Sequence, residues 1–226
     1  MAYSKTIVCL SMAQEGQGRT LAGKTPEGGW VRPVSAHSGS GFLHGECAYA
    51  SGMTPRPLDL ISMTFDRPAP HRHRKENHVV GRGPWLRLGA LSYADLPYFV
   101  DRPVTLWGND EDAEASRSDA IGIEAARRSS HSIVLIEPES LQIRVCAEGS
   151  LYQKMGVRSY FRYRDLEYSL RVTDQFAQMF FLDKGIGWYD LDAYLCVSLG
   201  DPSPSDGLCY KVASGVIVPD GLWRSL

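Results

Sequence analysis

Residues Arg158–Thr173 read RSYFRYRDLEYSLRVT, and their alternation limits what this chain can fold into more than any other stretch. Taken as two strands either side of Asp165-Leu166, they put Phe161, Tyr163, Tyr168, Leu170 and Val172 on one face. Tyr160, Arg162, Arg164, Arg171 and Thr173 fall on the other. Successive side chains of a strand point to opposite sides, so this pattern predicts a half-buried hairpin. Its outer face carries guanidinium groups and a phenol ring, a positive and partly aromatic surface suited to phosphates and unstacked bases.

The rest of the chain is strand-rich as well. Thr6–Met12, Leu21–Lys24, Trp30–Val34, Leu58–Phe65 and Leu86–Leu91 are short, β-branched or aromatic runs separated by Gly, Pro and Ser. Ser92, with Asp95 three residues on, predicts a capped helical turn. From Gly108 to Glu124 six acidic residues meet one base, which predicts a solvated loop leading into a helix near Ser118–Arg128. A second series of strands begins at Ser132–Ile136 and continues through Leu141–Cys146, the hairpin, Ala193–Leu199 and Tyr210–Val218. Asp174 is a good N-cap for a helix over Gln175–Leu182. Three strands, a helix and two strands is the order expected of a five-stranded OB barrel. The expectation is a mainly β fold of two OB-like Greek-key barrels with short helices. Residues 1–128 would form an N-terminal barrel with long loops, and 129–226 a C-terminal one.

Composition narrows the class. At 226 residues with 43% hydrophobic and 22% charged residues, the chain has enough apolar material for two cores and is not disordered. A net charge of −2 argues against a strong non-specific polyanion binder but leaves room for a local basic patch. Five cysteines without a CxxC pair read as reduced thiols, with Cys9, Cys146 and Cys196 inside apolar strand-like runs. No apolar run reaches the ~20 residues that span a bilayer, so a cytoplasmic protein is expected.

The most cationic window is Pro70–Trp85. Arg72, Arg74 and Lys75 suit phosphates, and Asn77 and His78 suit base or sugar hydrogen bonds. The competing reading is a solvated connector tied by Glu76 and Asn77 to its own backbone. His71, His73, Glu76 and His78 also raise a zinc or manganese site, as a metal-dependent nuclease or nucleotide-processing enzyme needs, but their spacing fits no helix-borne motif. Trp30 and Arg32 share a strand face, either as a stacking platform with a charged neighbour or as core and rim. Gln14–Thr20 lacks the phosphate-loop spacing and reads as a hairpin turn. Neither Ser129-Ser130-His131, Ser35–His37 nor Cys47 beside Glu46 makes a nucleophile signature. The acidic run Asp110–Glu114 lacks the order of a calcium loop. No catalytic residue, metal or cofactor is assigned.

Several segments taken in order resemble the dual OB-fold domain family of prokaryotes. They are Lys5–Leu10, Gly29–Ser35, Leu58–Ile61, Glu76-Asn77-His78, Trp107-Gly108-Asn109 and Phe161–Asp174. The resemblance spans nearly the whole chain. It implies two OB barrels, a nucleic-acid or nucleotide-recognition role, and a place in bacterial anti-phage or conflict systems. The expected partners are DNA or RNA and a protein of such a system, with no membrane. Arg32, Arg72, Arg74, Lys75, Arg162, Arg164 and Arg171 are the candidate cations, Tyr160 and Trp30 the candidate stacking rings. A protein-interaction adaptor is the further alternative.

Overall fold

The computed structural model describes residues 2–16, 18–37, 41–43, 46–107, 119–148 and 154–219. The chain divides into two compact units, 1–100 with 130–132, and 101–129 with 133–226.

The first unit contains β1 (Tyr3–Glu15), β2 (Gly18–Lys24), β3 (Trp30–Val34), β4 (Asp59–Pro68), β5 (Asn77–Val80) and β6 (Leu86–Ala90). Hydrogen bonding runs β1-β2-β3-β5-β4, and β4 pairs back to β1, so five strands close a ring. All pairs are antiparallel except β3 with β5. That ring order, with a parallel pair between third and fifth strands, is an OB barrel. β6 adds to the outside of β4. In β4 the period of two is plain: Ile61, Met63 and Phe65 are buried while Leu60, Ser62 and Thr64 are half-buried. Ile7, Leu10, Met12 and Leu21 are fully buried as well. Gly23 is demanded by close approach, because a Cβ there would lie 2.1 Å from the Val8 carbonyl oxygen. The first hairpin closes where Glu15 pairs with Gly18, with Gly16 at φ +60°, as its glycines predicted. Tyr93–Tyr98 is a short 3-10 helix whose cap, Ser92, accepts a hydrogen bond from the Ala94 amide.

The second unit contains β7 (Ala120–Gly122), α1 (Ile123–Arg128), β8 (Ile133–Ile136), β9 (Ser140–Glu148), β10 (Lys154–Tyr163) and β11 (Leu166–Val172). They are followed by α2 (Gln175–Lys184), β12 (Gly187–Asp190), β13 (Tyr194–Pro202) and β14 (Leu208–Ile217). The sheet runs β12-β9-β10-β11-β14-β13-β8, with β7 on β14. β12 and β13 are successive stretches of one chain path, bent at 191–193. One stretch pairs with β9 and the other with β14, so chain continuity joins the two ends of the five-strand set. The parallel pair is again third with fifth, β11 with β14. Val145, Val157, Phe161, Tyr163, Leu170, Val172, Phe181, Leu195 and Val216 share one buried cluster.

Asp174 caps α2 as expected, accepting from the Phe176 and Ala177 amides at 2.8 and 3.0 Å. It is fully buried and also accepts from the Val216 amide at 2.8 Å, tying the helix start to β14.

Four expectations need correction. The hairpin turn is Arg164-Asp165, both at positive φ (49° and 64°), with Tyr163 opposite Leu166. This two-residue form matches strand twist better than a turn over Asp165-Leu166. The expected helix near Ser118–Arg128 shortens to α1, because Ala120–Gly122 pairs with β14 and buries Ile121 against Leu199 and Cys209; Ser118 lies outside the described residues. The division falls after Val100 rather than near Arg128, since Leu106 joins the second core. Cys146 is only half-buried, whereas Cys9 and Cys196 are buried.

Candidate nucleic-acid interface

Register assembles a surface on the outer side of the second unit that no single stretch of sequence displays. Trp188 of β12 is opposite Arg144 of β9, Arg144 is opposite Arg158 of β10, and Arg158 is opposite Arg171 of β11. Directly opposed residues share a face, so one aromatic and three guanidinium groups form a row across four strands. The next row, two residues along, is Asp190, Gln142, Tyr160 and Ser169, and the third holds Ser140, Arg162 and Glu167. The Tyr160 and Trp188 rings meet at 4.8 Å between centroids with planes at 53°. The Arg144 guanidinium sits 5.0 Å from the Trp188 ring centroid, a cation–π distance. Beside this row lies an open trough of about 490 Å³, lined in part by Gln142, Tyr160, Arg162, Glu167, Trp188 and Asp190. Trp188 is 53% exposed, unusual for so large an apolar ring.

The cations of this face differ in how they are held. Arg171 is exposed and has no carboxylate partner among the described residues. Arg158 donates to the Ser169 carbonyl at 2.7 Å and lies 3.7 Å from Glu148. Arg162 pairs with Glu139 at 2.8 Å, both half-open to solvent. Such an exposed pair contributes only ~0–1 kcal/mol, so a phosphate can replace the carboxylate. Arg164 stands at the hairpin tip, its backbone amide donating to Glu139 at 3.1 Å. Tyr160, Arg162 and Arg171 thus share one outer face, as the alternation predicted.

The first unit is different, and three of its expected contacts are corrected: Arg32 on β3, and Arg74 and Asn77 of the basic window. Arg32 is buried on β3 and lies 3.4 Å from Glu76, with Ser132 accepting from its guanidinium at 3.2 Å. The Ser132 hydroxyl and amide both donate to the Glu76 carboxylate. Arg74 is buried against Glu15, and Asn77 is buried on β5. Arg32, Arg74 and Asn77 therefore face internal partners or core, not a ligand. Trp30 is likewise buried, with Lys24 over its ring at 5.0 Å and the Lys24 ammonium donating to the Phe99 carbonyl. Arg72, in a left-handed turn at φ 54°, and Lys75 are exposed. His78 is half-buried, its Nδ1 2.5 Å from the Tyr3 hydroxyl. Desolvation, then the Lys5 charge, holds its pKa below the ordinary imidazole value, so it is neutral at neutral pH.

The four candidate metal ligands do not converge. His71 is exposed, His73 is fully buried, Glu76 is committed to Arg32 and Ser132, and His78 meets Tyr3. Among the described residues no group of three or more His, Cys, Asp or Glu is arranged to hold a metal ion. The acidic run Asp110–Glu114 lies outside those residues. Burial pushes the Cys47 thiol up to about 12, against a smaller opposing effect of Arg19, so it does not form a thiolate nucleophile. Lys211, buried on β14 with its ammonium 5.5 Å from the Tyr168 ring, is pulled down to about 8 by desolvation, opposed by Asp119. None of the helices in the described residues is long and apolar enough to cross a membrane.

Sequence reasoning missed Trp188, Arg144 and Arg158. The signal for Trp188 was present: Gly185 ends a helix, and Gly187-Trp188-Tyr189-Asp190 follows as a short aromatic strand. Arg158 was open to the same alternation, two residues before Tyr160 on one strand, whereas Arg144 needed the β9–β10 register, which no local pattern encodes.

No curated protein and no solved structure matches the chain. A family model described as the dual OB-containing domain matches residues 5–216, nearly all of it. With a closed OB ring in the first unit and an OB strand order in the second, the chain belongs to the dual OB-containing domain family.

Proposed function

We propose that this protein is a nucleic-acid recognition module that binds a single strand across the outer face of β12, β9, β10 and β11. The observation that carries the reading is the Trp188–Arg144–Arg158–Arg171 row beside the Tyr160 ring. Guanidinium groups attract successive phosphates, and exposed rings give bases a π-face. A duplex hides its base faces, so rings open to solvent favour an unpaired strand. Arg162 and Arg164 extend the cationic surface toward the hairpin tip, while Arg72, Lys75 and His78 of the first unit remain candidates for further backbone or sugar contacts. Arg32, Arg74 and Asn77 take no part.

Five scattered cysteines with no CxxC pair in the sequence suit a reducing compartment, so the proposed setting is the cytoplasm. The bacterial anti-phage or conflict role implied by the family resemblance is part of the proposal, with a defence protein as partner. An adaptor role is the second reading, favoured by exposed Met179, Leu182 and Ile186 near α2 and β12.

The test is fluorescence anisotropy with labelled single-stranded and duplex DNA and RNA, for the wild type, Trp188→Ala and Arg171→Ala. Single strands should bind more tightly than duplexes. Loss of the Trp188 stack, worth about 1–3 kcal/mol, should weaken binding roughly 5- to 150-fold. Absence of binding to all four probes, or two variants indistinguishable from wild type, would overturn the proposal. A protein association that survives nuclease digestion would favour the adaptor.

A further inference from the structure

Acidic side chains inside a surface meant for a polyanion need an explanation, and the trough of the second unit holds two: Glu167, opposite Arg162 on the neighbouring strand, and Asp190, which has no cation opposite it. Asp190 lies two residues from Trp188 on the same face of β12 and opposite Gln142, both bordering the trough beside Tyr160. The Gln142 Nε2 donates to Asp190 Oδ1 at 2.8 Å, which fixes the amide orientation and couples the two side chains. A carboxylate repels phosphate, so its productive role next to stacking rings is to accept hydrogen bonds from a base edge.

We propose that Asp190, held by Gln142, makes this site selective for guanine; the inference rests on the nucleic-acid reading above. Guanine alone among the four bases presents two adjacent donors, N1–H and the N2 amino group, on its Watson–Crick edge. An ionised carboxylate is an acceptor with two oxygens and can take both. The second Nε2 hydrogen of Gln142 is a donor for the neighbouring O6. Adenine and cytosine offer one amino group beside a ring-nitrogen lone pair, which a carboxylate repels. Uracil and thymine offer one N–H flanked by two carbonyl oxygens. The Tyr160 and Trp188 rings supply sequence-tolerant stacking, and Asp190 with Gln142 supplies the discrimination.

The experiment measures anisotropy of U-rich 11-mers carrying G, A, C, U or inosine at the central position. The G-centred strand should bind about tenfold more tightly than the others, in line with a bidentate contact. Inosine keeps N1–H and lacks the N2 amine, so it should fall between G and U. Asp190→Asn, at an exposed position, should compress the spread among the five strands to about twofold. Salt-sensitive binding with equal affinity for all five strands would overturn guanine selectivity and leave the parent reading standing. Undiminished G preference in Asp190→Asn would overturn the role of Asp190. Failure to bind any strand would sink both.

Discussion

Arginine identity alone says little about role in this chain; the partner decides. Arg32 and Arg171 have the same side chain, yet one is 4% exposed and ion-paired while the other stands in solvent. Burying a guanidinium is tolerable only when its charge is met, and Glu76 does this for Arg32, with Ser132 accepting one of its hydrogen bonds. Glu76→Ala strands a buried charge and should cost about 3–5 kcal/mol, read as a lower denaturant midpoint in equilibrium unfolding. Nucleic-acid affinity of the folded fraction should be unchanged, because Arg32 does not reach the surface. A variant that unfolds normally but loses binding would show that the first unit's basic window is functional. At the same scale, Trp188 is a large ring that the fold leaves outside, and this is why the proposed interface is built on it.

Elements show where local chemistry was enough. The N-cap of α2 was readable because Asp174 acts on amides two and three residues away. Its third bond, to the Val216 amide, was not readable, since Val216 of β14 lies 42 residues further on. Burial raises the Asp174 pKa to about 6 from 3.8, outweighing the three amides that lower it. The folded state therefore holds a proton that the unfolded chain has already lost between about pH 4 and 6. Stability should fall as pH rises through that window. Asp174→Asn should flatten that slope and still destabilise by about 1–3 kcal/mol, because its NH₂ would face the Val216 N–H donor. Thermal melts at pH 4, 5, 6 and 7 check both signs. The shorter α1 and the unforeseen β5 and β12 have one cause. Each is a short segment whose state is set by a partner strand, not by its own composition.

For the whole molecule, a net charge of −2 means that no broad positive field supports the row of guanidinium groups. Three phosphate contacts, from Arg144, Arg158 and Arg171, predict a salt dependence with log–log slope of about −2 for a single strand. Titrations between low and moderate salt measure it, and a slope near zero would remove the electrostatic part of the proposal. Two barrels were visible in the sequence because strand alternation, turn residues and a helix cap are local, and each repeats over a few residues. The aromatic half of the late hairpin was placed inward for the same reason, since a period of two leaves no other side for it. Tertiary structure alone decided which cations meet solvent. Arg32 finds Ser132 a hundred residues away, and Trp188 reaches Arg144 through a strand pairing that no local pattern encodes. Side-chain direction follows from the backbone's own period, whereas burial and charge pairing depend on which distant strand the ring places alongside.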